Sequence, residues 1–478
     1  MTELLQHYIA GARAGGAAAA QSLNPSDVTD VVATAPQAGA DVLDAAIGAA
    51  AAASEAWASA SPEFRADCLE RAGGLLIERA AALGRLLSRE EGKPLAEGVG
   101  EVLRAGRIFR YFAGEALRRH GRTLDSVRAG VEAQTHREPL GVVGLITPWN
   151  FPIAIPAWKA APALAFGNTV VLKPAAITPT IASALADALH DAGLPPGVFN
   201  LVFAPGRVAA ALAHDRRVAA VSFTGSTQVG AELAVDAARA GKRLQLEMGG
   251  KNPLVVLDDA NLDTAVRVAL DGAFFGSGQR CTASSRLIVT DAIHDRFVAA
   301  LCERVSALRV GHALDPDTEI GPVSSRDQME TIAGYVDVAR GEGAAVATGG
   351  HPVPRDTDGY FLAPALIVGA TPGMRVHREE IFGPVASVQR VVDYEAAVQA
   401  ANDTEFGLSA GIVTTSLRHA HDFRRRARAG MVMVNLPTAG VDYHLPFGGV
   451  KASSLGPREQ GFAAVEFYTQ TKTSYLAT

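Results

Sequence analysis

Hydrophobic and polar positions change their rhythm along this chain. Behind Ser61-Pro62-Glu63, the residues Phe64, Cys68, Leu69, Ala72, Leu75 and Leu76 recur at helical spacing. Serine as N-cap and proline at the first helical position predict that a helix starts there. From residue 141 short β-rich runs take over: GVVGLITP, TVVLKP, VFNLVF, AAVSFTG, RLQLEMGG and PLVVLDD. Between them, residues 180–192, 207–214 and 227–240 return to helical spacing. Strands alternating with helices predict βαβ units and a parallel sheet. Right-handed crossovers then gather the loops at the strands' C-terminal ends, where ligands bind. A second alternating series, from about residue 285 to 435, predicts a second α/β domain. Residues 122–138 and the tail FYTQTKTSYLAT alternate without joining either series. Such segments pair between subunits or form a surface hairpin.

Composition narrows the class. At roughly 100–200 residues per domain, 478 residues make two or three domains. Hydrophobic residues are 48% and charged residues 20%, an ordinary globular balance. A net charge of −6 lacks the basic footprint of a nucleic-acid partner. The alanine-rich run 45–60 is weakly apolar and broken by Ser54 and Glu55, so no membrane span is expected. The first residues, MTELLQHYIAGARAGG, do not read as a signal peptide. The three cysteines, Cys68, Cys281 and Cys302, form neither a disulfide framework nor a zinc pattern, so no metal is expected. Together these features point to the reducing cytoplasm.

Candidate chemistry collects at the strand ends. Cys68 and Cys302 lie on helical apolar stripes and read as core residues. Cys281 sits instead in GQRCTASSR, on a loop of small residues, beside Arg280. An adjacent cation favours the thiolate, so this sulfur reads as reactive. In TPWNFP, Asn150 is held between Trp149 and Phe151, a rigid amide able to serve an oxyanion or simply to close a turn. Glu247 in LEMGGKNP ends an apolar strand and reads as a general base or as an arginine partner. Lys173 ends TVVLK and can meet a ribose or phosphate, or only solvent. FTGSTQVG reads as a phosphate cradle at a helix start or as an ordinary turn.

Taken together, the runs TPWNFP, FGNTVVLKPA, FTGS…VG, LEMGGKNP, GQRC, EEIFGPV and PFGGVK resemble the NAD(P)-dependent aldehyde dehydrogenase family, in that order and over nearly the whole chain. The resemblance implies a Rossmann-like cofactor domain at residues 1–120 and 141–249 and a catalytic α/β domain at 250–449. An oligomerisation arm would be built from 121–140 and 462–478, making a homodimer or homotetramer. It implies Cys281 as nucleophile, Glu247 as base, and Asn150 with the Cys281 backbone N–H as oxyanion hole. Cofactor contacts would fall at Thr147, Pro148, Trp149, Lys173, Ala175 and Ala176. Further along they would fall at Gly206, Phe223, Gly225, Ser226, Gly230, Glu380 and Phe382.

Two details refine that expectation. Many NAD-using members carry a glutamate where this chain has Ala176, which would bind the adenosine ribose. Alanine does not repel a 2′-phosphate and Lys173 can pair with one, so NADP is expected to be accepted or preferred over NAD. GQRCTASSR and VDYHLPFGGVKASSLGPREQG are similar to the branch that oxidises α-ketoglutaric semialdehyde, 2,5-dioxopentanoate. That small-molecule substrate carries a carboxylate, so Arg104 and Arg280 are candidate cations, with Phe151, Trp158 and Phe447 as apolar walls. The alternatives are succinate semialdehyde, glyceraldehyde or broad aliphatic aldehydes. Transfer of the acyl group to coenzyme A, or an inactive member serving as a binding protein, are more distant.

Overall fold

The computed structural model describes residues 3–16, 18–118 and 121–477. Two sheets dominate. The first has eight strands. Its parallel centre runs Arg243–Glu247, Val218–Thr224, Val142–Ile146, Thr169–Lys173 and Phe199–Leu201. Short antiparallel strands, Ser454–Leu455 at one edge and His7–Ile9 with Ala12–Ala14 at the other, complete it. The central strands are nearly continuous apolar runs because helices cover both faces. Val143, Leu145, Val170 and Leu172 face one core, with Phe109, Leu164 and Leu185. Val142, Ile146 and Val171 face the other, with Leu43, Ile47 and Leu233. The strand period of two thus divides the residues between two helix layers.

The second sheet has seven strands, in the order Ala345–Thr348, Ala365–Val368, Val385–Val391, Ser284–Thr290, Asn252–Val256, Ser409–Val413 and Met431–Val434. All are parallel except the first. The fold is α/β, and the C-terminal end of the first sheet's strand at Glu247 is followed closely by the N-terminal end of the second sheet's strand at Asn252.

Ser61 caps the helix Pro62–Glu78, its Oγ accepting from the Phe64 amide at 3.1 Å, and Cys68 is buried beneath. Residues 207–214 break into a short helix, Gly206–Ala209, and a tighter turn, Ala210–Ala213. The tail strand Thr469–Ala477 pairs antiparallel with Val131–Pro139, which also pairs with Arg122–Asp125. The two alternating segments therefore meet within one chain, as a three-stranded arm. A further small sheet, Glu3–Leu4, Ala18–Asn24 and Asp27–Gln37, lies near the N-terminus. Among the described residues no helix is long and apolar enough to cross a membrane.

Candidate active site

The helix Leu262–Phe274 ends in a turn that no regular helix could make. Gly276, Ser277 and Gly278 all take left-handed backbone angles. At Gly278 a Cβ would lie 2.2 Å from the Gly383 carbonyl, so glycine is required. The chain then places Cys281, half-buried, just before the strand Ser284–Thr290. Asn252 fixes this loop, its Nδ2 donating to the carbonyls of Cys281 (2.8 Å) and Ala283 (2.9 Å). From the first sheet, Asn150 reaches across and its Nδ2 donates to the Gln279 carbonyl at 2.9 Å. That bond uses one of two amide hydrogens, leaving the other for a ligand.

Asn150 is itself held from below. Buried Lys93 donates to the Asn150 carbonyl at 2.7 Å and to Glu101 at 2.6 Å. The second Glu101 oxygen accepts from the amides of Ile153 and Ala154, where the helix Ala154–Ala165 begins. A carboxylate there satisfies orphan amides and complements the helix dipole.

Glu247, only 2% exposed, ends its strand on the other side. Burial, with Glu459 nearby, pushes its carboxyl well above the usual range, while a hydrogen bond from Ser454 and the charges of Lys159 and Arg458 oppose the shift. Glu459 pairs with Lys159, also fully buried, and Lys159 donates to Ser222 at 2.7 Å. Burial and the charges of Glu380, Glu247 and Glu459 push the Cys281 thiol up to about 12, so it rests protonated. This corrects the expectation that Arg280 holds a thiolate. The turn at residues 276–278 sends the Arg280 guanidinium to the carbonyls of Asp271 and Gly272, at the end of the preceding helix. There it complements the negative end of the helix dipole, while its Nε is buried without a partner.

A cleft of about 600 Å³ opens at the ends of the first sheet's strands. Thr147, Pro148, Trp149, Lys173, Ala175, Ala176, Gly206, Phe223, Gly225 and Ser226 line it. The Lys173 ammonium makes no hydrogen bond among the described residues, and burial lowers its pKa. The hydroxyls of Thr147 and Thr224 are buried without partners. These unmatched groups, beside the N-terminus of the helix Thr227–Arg239, fit a dinucleotide, which Thr147, Trp149, Lys173, Thr224 and Ser226 would hold. Gly230 is not on the cleft wall. It lies one turn into that helix, where a Cβ would meet the Met248 sulfur at 2.4 Å, so it serves packing. Glu380 and Phe382 stand outside the cleft, toward the cysteine loop. Glu380 accepts from the Gly250 amide at 2.9 Å, and burial lifts its carboxyl to about 7. Phe382 meets Trp149 edge-on, centroids 5.5 Å apart.

On the far side of Asn150, Trp158 and Phe447 pack at 5.4 Å, and Phe151 lies under Lys93. Arg104, on the helix Leu95–Ala116, hydrogen-bonds among the described residues to Gln460 Oε1 at 3.4 Å, its charge is felt by the carboxylates of Glu101 and Asp442, and its Nε is buried without a partner. Sequence reading missed Lys93, Glu101, Lys159, Glu459, Ser454, Asn252 and the cleft residue Arg207. The buried charges carried the one available signal, since lysine and glutamate inside apolar helices require partners.

A parallel-sheet cleft ending beside a cysteine loop is the layout of a nicotinamide-dependent oxidoreductase. The chain belongs to the aldehyde dehydrogenase family, whose model matches residues 13–474, and is an NAD(P)-dependent oxidoreductase. It is 41% identical over 456 residues to the alpha-ketoglutaric semialdehyde dehydrogenase of Bacillus subtilis, covering 95% of this chain and 93% of that one. It is 44% identical to the alpha-ketoglutarate semialdehyde dehydrogenase of Haloferax volcanii, covering 95% and 94%. Among solved structures, betaine aldehyde dehydrogenase from Staphylococcus aureus in complex with NAD+ superposes with a TM-score of 0.96 at 34% identity, over 99% of this chain and 95% of that one.

Proposed function

We propose that this enzyme oxidises 2,5-dioxopentanoate to 2-oxoglutarate through a thioester on Cys281, preferably or equally well with NADP. The convergence of Cys281, Asn150 and Glu247 at one edge carries the reading of the chemistry. The names and identities of the relatives support the choice of substrate.

The thiol needs a base, because burial keeps it protonated. Glu247, whose carboxyl pKa burial raises well above the usual range, takes that proton as sulfur attacks the aldehyde carbon. The free amide hydrogen of Asn150 and the Cys281 backbone N–H hold the resulting oxyanion. A bound oxidised nicotinamide supplies the hydride acceptor. Collapse of the oxyanion leaves the acyl group on sulfur, and Glu247, having released the thiol's proton to solvent, then activates water to release the acid. Arg104, with its unpartnered Nε, is the cation for the distal carboxylate. Lys173 and Arg207, which line the cleft with Ala176, favour a 2′-phosphate at the adenosine end, against the carboxylates Glu232 and Asp236 on the same wall. The arm mediates a homodimer or homotetramer.

The test is a panel of aldehydes with both cofactors, read by reduced-nicotinamide absorbance. The expected kcat/KM is highest for 2,5-dioxopentanoate, above succinate semialdehyde, glyceraldehyde and propanal, with NADP at least equal to NAD. A neutral aldehyde outranking the keto acid would overturn the substrate. A large NAD preference would overturn the cofactor reading.

A further inference from the structure

Two glycines and a serine that play no part in the steps above form a cradle around Glu247. The strand Ser454–Leu455 runs antiparallel to Arg243–Glu247, with Ser454 directly opposite Glu247. The Met248 amide bonds the Ser453 carbonyl at 2.8 Å and locks that register. Ser454 Oγ accepts from the Gly449 amide at 2.7 Å and lies 2.6 Å from Glu247 Oε2. A hydroxyl has one proton. With the Gly449 N–H already pointing at this oxygen, the proton goes to the carboxylate. The other carboxylate oxygen, Oε1, lies against Gly448, where a Cβ would come within 2.6 Å. Gly448 has φ +142°, a left-handed backbone that favours glycine.

We infer that Ser454 is a positioning residue for thioester hydrolysis, holding Oε2 of Glu247 so that Oε1 is the oxygen that takes the proton from water. The inference rests on the reading of Glu247 as base. In that step the water oxygen bonds to the thioester carbon and its proton passes to Oε1. The C–S bond breaks, its electron pair returning to Sγ, and the acid departs. The groups facing Glu247 are Ser454, Glu459 and Arg458 from the C-terminal segment, Lys159 from the helix Ala154–Ala165, and Cys281 from its loop. Ser454 is the one whose bond to the charged form can be removed without changing any formal charge.

Rapid mixing of enzyme, aldehyde and NADP, followed by an acid quench and intact-protein mass measurement, gives the decay of the Cys281 adduct against pH. Ser454→Ala removes a bond that favours the carboxylate, so the Glu247 pKa rises. The acid limb of the decay profile should move up by about one pH unit. On that limb hydrolysis should be roughly tenfold slower, converging with the parent at alkaline pH. Ser454→Thr keeps the hydroxyl and should restore the profile. Superimposable profiles for parent and Ser454→Ala overturn the inference. So does slowing by one factor at every pH, which marks general structural damage. Absence of any adduct in the parent enzyme overturns the Cys281–Glu247 reading instead.

Discussion

Cys281 and its neighbours show how far one side chain's chemistry depends on the turn that carries it. Adjacent in sequence, Arg280 reads as a thiolate partner, yet three left-handed residues turn it back onto carbonyls nine and eight positions earlier. The sulfur faces carboxylates instead and rests as the thiol. Arg104 has the opposite history. A surface arginine on an amphipathic helix reads much like a ligand-binding one, and its buried, unpartnered Nε favours the second role. A charged hydrogen bond is worth about 1.5–3 kcal/mol. Arg104→Ala should therefore raise KM for 2,5-dioxopentanoate roughly tenfold or more and leave propanal nearly unchanged, as steady-state kinetics would show. Equal effects on both substrates would remove Arg104 from the site.

Helices and strands were legible where the period was strong. Ser61-Pro62 announces a helix and its cap hydrogen bond is present. The strands that end at Lys173 and Glu247, and those that border Asn150 and Cys281, match apolar runs in the sequence. Less legible were elements with weak contrast. The alanine-rich strand Ala18–Asn24 shows no alternation that could separate it from a helix or a loop. The arm strands were visible as alternating segments, but pairing partners are not encoded in period. Thr469–Ala477 is largely exposed in one chain, including Tyr475 and Leu476, as expected of a strand that a partner covers. Deleting residues 469–478 should lower the assembly state seen by sedimentation velocity, while each protomer keeps its far-ultraviolet circular dichroism. An unchanged sedimentation coefficient per assembly would separate the arm from oligomerisation.

Across the molecule, the fold class and the principal site residues were readable because motifs mark the ends of strands, and topology gathers those ends. The supporting layer was not. Lys93 and Asn150 are 57 residues apart, and Lys159 and Glu459 are 300 apart. No local pattern links them, and Lys93, Lys159 and Glu459 each read alone as an ordinary surface charge. Their burial becomes intelligible once the sheets have brought them together, since buried charges persist only when paired. The strand Ser454–Leu455 makes the same point, returning from the C-terminal segment to finish the first sheet beside Glu247. Intact-protein mass of Glu247→Gln quenched during turnover tests covalent catalysis at Cys281 most directly. The predicted result is formation of reduced cofactor that is slower than in the parent and stops at a stoichiometric amount, with an acyl adduct accumulating on Cys281, absent in Cys281→Ala. Steady release of acid by Cys281→Ala at the parental rate, with no adduct in either variant, would contradict it.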